Sequence, residues 1–286
     1  SEPDWAGGLR DTWTPGEAGA HERLKSFLDG GITGYASGRD RPDGENTSRL
    51  SPHLAAGEIT PVQIFRALDN ASGKGSGSNE DQAVFRKEIG WREFSHHLLV
   101  HSPKIDSENF DDRFDDFPWN DAGDDLGAWQ KGMTGYPIVD AGMRELWQTG
   151  WMHNRVRMIV ASFLTKHLLI HWKKGEDWFW DTLVDADSAS NPSNWQWVAG
   201  SGADAAPYFR IFNPIIQGEK FDPDGIYVRE YVPEIAALPD KYIHHPWDAP
   251  NDVLEDAGIT LGETYPKPIV DHKEARERAL SAFDTI

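Results

Sequence analysis

Cysteine is absent from the 286 residues. That excludes a disulfide scaffold, a thiolate-bound zinc or iron–sulfur centre, and a thiol nucleophile. No apolar run approaches the roughly 18 residues that a membrane-spanning helix needs. The opening SEPDWAGGLRDTW has neither the basic nor the apolar stretch of a secretion signal, and it lacks an initiator Met, as a trimmed or excised fragment would. Positive charge is scarce: 28 Lys and Arg against 47 Asp and Glu give a net charge of −19. Bulk attraction to a polyanion is thereby disfavoured, although a local basic patch is enough to bind one. Strand patterns are few, and no βαβ alternation or internal repeat is visible. These features predict one mostly α domain over residues 1–286, with residues 1–36 as lead-in and first helix.

Aromatic residues are abundant: 13 Trp, 13 Phe and 7 Tyr. Many must fill a core. Several, however, stand beside Asn, Arg, His and Glu, the composition of a cleft with aromatic walls.

Apolar spacing predicts a short helix over Ala20 to Leu28 after an irregular lead. Thr60-Pro61-Val62-Gln63 reads as a capping box with Pro at the first helical position. Residues 71–79 form a connector whose Gly73-Lys74 lacks the spacing of a phosphate-binding P-loop. Helices are predicted from Glu80 to about His101, with Val84, Phe85, Phe94, Leu98 and Leu99 on the apolar side. Further helices are predicted over Pro137 to Trp147, Asn154 to Trp172, Asp177 to Val184 and His272 to Phe283. Residues 102–127 read as acidic and irregular. Residues 185–225 read as loop with short helical pieces.

Four segments carry chemistry. Thr47-Ser48-Arg49-Leu50-Ser51-Pro52 offers hydroxyls, a guanidinium and a helix start, which together suit a phosphate; the plainer account is Ser51 as an N-cap. Glu88, Trp91 and Arg92 share a helix face, either to hold and stack a base or as a Glu–Arg surface pair. Asn154, Arg155 and Met158 share a face away from the apolar stripe of their helix, while His153 has no acidic partner in sequence and reads as a satisfied histidine. Asp185-Ala186-Asp187 suggests a metal but fails the calcium-loop template; such carboxylates can instead accept from N–H groups of a heterocycle.

Taken together, TSRLSP, WREF, GYPIVDAGMR, TGWMHNRVRM, NWQW, DAAPYFRIFNP and QGEKFD resemble the FAD-binding half of the photolyase/cryptochrome family, in order and spacing. The resemblance runs from about Trp5 to Phe283 and is closest to the enzymes that repair cyclobutane pyrimidine dimers. It implies the family's multi-helix FAD-binding fold without its N-terminal α/β antenna domain, so the antenna pigment stays unknown. By resemblance, Tyr35, Thr47, Ser48, Arg49 and Ser51 bind the FAD phosphates, and Leu50 is a further cofactor-binding position. Asp187 accepts from the isoalloxazine ring, Asp185 pairs with Arg157 beside it, and Asn191 faces flavin N5, where plant-type photoreceptors carry Asp.

The resemblance further implies that Glu88, Trp91, Asn154, Met158 and Trp197 form the pocket for a flipped dimer. Trp195, Trp172 and Trp119 are implied to carry electrons to flavin. Arg39, Arg155, Arg210 and Lys220 are implied to contact DNA phosphates. The implied activity is that of a deoxyribodipyrimidine photolyase with reduced FAD. The partner is UV-damaged DNA, and no metal and no membrane are involved. The protein is expected to be a monomer in a bacterial-type cytoplasm, associated with the nucleoid when at work. The alternatives are a cryptochrome-type light sensor without repair, a flavin-free module stacking on single-stranded nucleic acid, and an inactive fragment.

Overall fold

The computed structural model describes residues 4–71, 77–205 and 209–286. Most of the connector holding Gly73-Lys74, together with Ala206, Pro207 and Tyr208 of the DAAPYFRIFNP motif, lies outside them. The described residues are helical, with two isolated bridges in place of a sheet. No described helix is long and apolar enough to cross a membrane.

Local signals set several helix ends. Thr60 Oγ1 accepts from Gln63 N, and the Gln63 side chain accepts from Thr60 N at 2.8 Å, closing the expected capping box of the Pro61–Asn70 helix. Ser78 and Asp81 make a second box that starts the Asn79–His101 helix. Pro137–Thr149 ends at Gly150, whose φ of +69° few other residues tolerate.

Elsewhere the chain departs from the sequence pattern. The lead-in is not irregular: helices span Gly7–Thr12 and Glu17–Ser26, followed by a π-turn over Phe27–Gly31. The acidic segment after His101 contains a 3-10 turn over Asp112–Asp116 and the start of a helix over Gly123–Gln130. The long helix from Asn154 to Trp172 is in fact broken. It runs Asn154–Ser162, loosens into a π-turn over Phe163–His167, and stops with Leu169 at φ +53°. Asn120 satisfies the freed carbonyls, with its side chain bonding Leu168 O and its backbone N bonding Leu169 O. Trp172 therefore opens a new helix, Trp172–Thr182, capped by His171 Nδ1, and this replaces the helix expected over Asp177 to Val184. The apolar pattern hid the break because Phe163 through Ile170 are buried on every side. Within residues 185–225, Ser190–Ala199 and Pro214–Phe221 are full helices.

Two large hydrophobic clusters form, beside a small third around Phe114, Phe117, Leu169 and Phe209. One gathers the N-terminal elements around Phe27, Tyr35, Leu50, Ile64, Phe85 and Ile89. The larger gathers the helices from Pro137 to Ala199 and the later segments packed on them. The Asn79–His101 helix belongs to the first cluster and meets the Ser190–Ala199 helix of the second. Phe94 is not on the apolar side expected of it; it stands 37% exposed beside Trp91, with ring centroids 5.8 Å apart.

Candidate functional site

Polar contacts join the two large clusters: Trp151 to Ser51, His96 to Asp187 and Arg155 to Asp40. On the first side, the Thr47–Ser51 stretch enters the five-residue helix Ser51–Ala55. Ser51 is not an N-cap here: Leu50 holds that position, and the Ser51 hydroxyl accepts from Trp151 Nε1 at 3.2 Å. Arg49 takes a positive φ and places its guanidinium 4.7 Å from the Trp151 ring centroid, while Arg157 lies 5.9 Å from the same ring. Two cations and a serine thus converge on one indole. Tyr35 is buried edge-on against Phe27 and Phe85. Thr47 and Ser48 are half-buried next to this group.

On the second side, Arg157 Nη2 meets Asp185 Oδ2 at 2.7 Å, and its Nε bonds Met152 O at 2.7 Å. The other Asp185 oxygen is buried and has no partner among the described residues. Asp187 Oδ1 accepts from the N–H groups of Ala189 and Ser190, and its Oδ2 lies 3.6 Å from His96 Nε2. Asn191 donates its amide to Glu176, through the backbone oxygen and through Oε1 at 2.8 Å. The amide carbonyl of Asn191 is thereby the end left for a ligand.

Around the mouth, Trp91 is 48% exposed. Glu88 does not pair with Arg92. Its partner is Arg39, from the first cluster, and Arg92 pairs with Glu93 instead. Asn154 is exposed at the start of its helix, and Met158 is half-buried one turn later on the same face. Trp197 donates to Asp204 O at 3.0 Å and helps line a cavity of about 630 Å³. A second cleft of about 570 Å³ is lined by Arg155, Arg210 and Lys220. Arg155 pairs with Asp40 at 2.9 Å and lies over Phe221. Three of the four expected phosphate contacts are therefore together, whereas Arg39 stands apart at Glu88.

The three indoles differ in setting. Trp195 is buried edge-on against Phe179, at 4.9 Å, and Trp129. Trp172 is fully buried, and its N–H donates to Asn109 Oδ1 at 2.8 Å. Trp119 is half-buried, edge-on to His171 at 5.1 Å.

Sequence reasoning missed Glu145, Glu176 and Asn109, whose contacts to Tyr227, Asn191 and Trp172 are made across 15 or more residues, and it gave Trp151 no role although its motif was noted. Glu145 is buried and far from its ordinary pKa. Burial pushes its carboxyl up to about 7, against the opposing pull of the Tyr227 hydroxyl, the His153 N–H and the nearby Arg49 and Arg157. His153 is held down to about 4 by burial, so it stays neutral, with Nδ1 accepting from Arg155 N. No cluster of three or more metal-ligating side chains occurs among the described residues.

A family description, the FAD-binding domain of DNA photolyase, matches residues 85–285. A deoxyribodipyrimidine photo-lyase of Agrobacterium fabrum is 62% identical over the whole chain, which covers 59% of that relative's length. Cryptochrome-2 of Arabidopsis thaliana is 44% identical over 96% of this chain, which covers 46% of the relative. A crystal structure of a bacterial class III photolyase from Agrobacterium tumefaciens superposes with a TM-score of 0.97 at 61% identity, over 100% of this chain and 59% of that one. The chain thus spans about half the length of the relatives it matches. Sequence and fold agree, and the chain belongs to the photolyase/cryptochrome family as its FAD-binding domain.

Proposed function

We propose that this chain carries out light-driven repair of cyclobutane pyrimidine dimers in DNA with fully reduced FAD. One observation supports it most. Two helices each carry a residue matched to the lesion pocket and one matched to the cofactor: Met158 adjoins Arg157 in Asn154–Ser162, and Trp197 lies six residues beyond Asn191 in Ser190–Ala199. A lesion and a flavin held by these side chains are neighbours by construction. The donor set also fits FAD, since Ser51 and Arg49 suit a pyrophosphate, while Asp187 and the unpartnered oxygen of Asp185, a residue paired with Arg157, suit ring donors.

FAD, when bound, supplies one electron under blue light and takes it back after the two cyclobutane bonds open. The residues do the rest. Trp91 and Trp197 wall the flipped dimer by stacking, each worth about 1–3 kcal/mol. Glu88 accepts from a pyrimidine N–H, and Asn154 donates to a carbonyl. The Asn154 donation strengthens as negative charge develops on that oxygen, a stabilisation fixed in advance. Arg39 neutralises Glu88 until a DNA phosphate competes for it. In this reading the protein works as a monomer on DNA in the cytoplasm.

Glu88→Ala is expected to lower dimer-repair yield per photon more than it lowers affinity for dimer-containing DNA. Equal losses in both would reduce Glu88 to a binding residue. The similarity to Cryptochrome-2 keeps a photoreceptor without repair as the second reading; a flavin-loaded protein that leaves dimers intact in light would favour it.

A further inference from the structure

We propose that Asn109 is a positioning residue of the electron route: its carboxamide, held by Asp115, keeps the indole proton on Trp172 while positive charge passes through that ring. The inference rests on reading Trp195, Trp172 and Trp119 as the route between flavin and solvent.

Two hydrogen bonds fix the amide. Trp172 Nε1 donates to Asn109 Oδ1 at 2.8 Å, and Asn109 Nδ2 donates to Asp115 Oδ1 at 2.7 Å. Rotating the amide by half a turn would set its NH₂ against the indole N–H and its carbonyl against a carboxylate. Asp115 therefore holds the carbonyl toward the indole. The arrangement is particular to this ring: Trp119 Nε1 is buried with no partner among the described residues. His171 sits between the two indoles, 5.3 Å from Trp172 and 5.1 Å from Trp119. Its Nδ1 accepts from Lys173 N and burial pushes its pKa down, so it faces both rings as a neutral imidazole with the proton on Nε2.

The chemistry follows from acidity. An indole that has lost an electron is a far stronger acid than indole itself. A carboxylate acceptor would take the proton and leave a neutral radical. A carboxamide oxygen polarises the N–H and stabilises the charge, yet it is too weak a base to remove the proton. With flavin bound, its photoexcited ring would supply the oxidant, and Trp195 would give up one electron. Trp195 regains an electron from Trp172, and Trp172 regains one from Trp119. A thiolate in solution gives one electron to Trp119 and becomes a thiyl radical. Each step moves one electron and no proton, so the charge is free to leave Trp172.

Flash photolysis of the FAD-loaded protein in H₂O and D₂O tests this. In the unaltered protein, the radical on Trp172 should remain protonated and show no solvent isotope effect. Asn109→Asp should give a deprotonated radical there, a solvent isotope effect on its formation, and a yield of reduced flavin lower by about tenfold. Asn109→Leu should also lower the yield roughly tenfold, through loss of a charge-assisted hydrogen bond, but with the radical still protonated. In cofactor-free protein, the Trp172 indole N–H resonance should move upfield in Asn109→Leu; an unmoved resonance would overturn the hydrogen bond itself. If Trp172→Phe abolishes photoreduction while Asn109→Asp matches the unaltered protein, the role given to Asn109 is wrong and the route stands. If Trp172→Phe changes nothing, the route is wrong and the inference falls with it.

Discussion

Glu145 shows how a side chain outside the sequence motifs shapes the site. It is buried between Tyr227 and the turn that carries His153, within reach of the field of Arg49 and Arg157. Its folded pKa of about 7 stands above the ordinary 4.5, so the folded state holds this proton more tightly than the unfolded chain does. This contribution to stability is full below the ordinary value and is lost as pH rises through about 7. The loss is on the order of 3 kcal/mol. Glu145→Gln should remove it. The difference in unfolding free energy between variant and parent, measured by denaturant titration at pH 5 and pH 8, should move in the variant's favour by up to that amount. An identical pH dependence in both proteins would refute the assignment. Comparing variant with parent also cancels Asp222, which burial likewise raises, to about 6, and His153 and His244, which burial lowers to about 4.

At the scale of the element, the close packing of two helices places the innermost indole. Gly175 sits in the Trp172–Thr182 helix where a Cβ would come within 2.2 Å of the Trp195 ring. Alanine gains roughly 1 kcal/mol of helix propensity. The overlap costs about 1–3 kcal/mol and forces the ring to move. The overlap should win, so Gly175→Ala should lower the denaturation midpoint and slow flavin photoreduction together; a stabilised variant with normal photoreduction would contradict this packing. Elements were legible in the sequence where their signals were local, as with Thr60-Pro61-Val62-Gln63. They were illegible where a contact from afar decided the backbone. Asn120 ends the helix expected to run on to Trp172. The Ser190–Ala199 helix was hidden by Asn, Pro and Ser, but Pro192 falls in its first turn, where a missing N–H costs nothing. The same holds for the site. Arg157–Asp185 followed from the motif resemblance, while Arg39–Glu88, Trp151–Ser51 and Trp172–Asn109 join residues 49 or more apart.

At the scale of the whole molecule, a body of −19 still gathers a few cations in one cleft. Arg155, Arg210 and Lys220 line one cleft, and Arg39 stands at Glu88. Four phosphate contacts predict a slope of log affinity against log salt near −0.9 per contact, or about a hundredfold weakening between ~50 and ~200 mM salt. Fluorescence anisotropy with a dimer-containing duplex reads this directly, and a flat response would mean that the cleft does not hold the backbone. The acidic remainder should keep affinity for undamaged DNA low, so that recognition depends on the lesion itself.

The central claim is that the seam between the two clusters holds flavin beside a flipped dimer. The most direct test mixes the flavin-loaded protein with a thymine-dimer oligonucleotide and a reductant, then follows base absorbance under blue light and in darkness. The account predicts recovery in light alone. A protein with a clear flavin band that shows no recovery in light, or one that recovers equally in the dark, would contradict it.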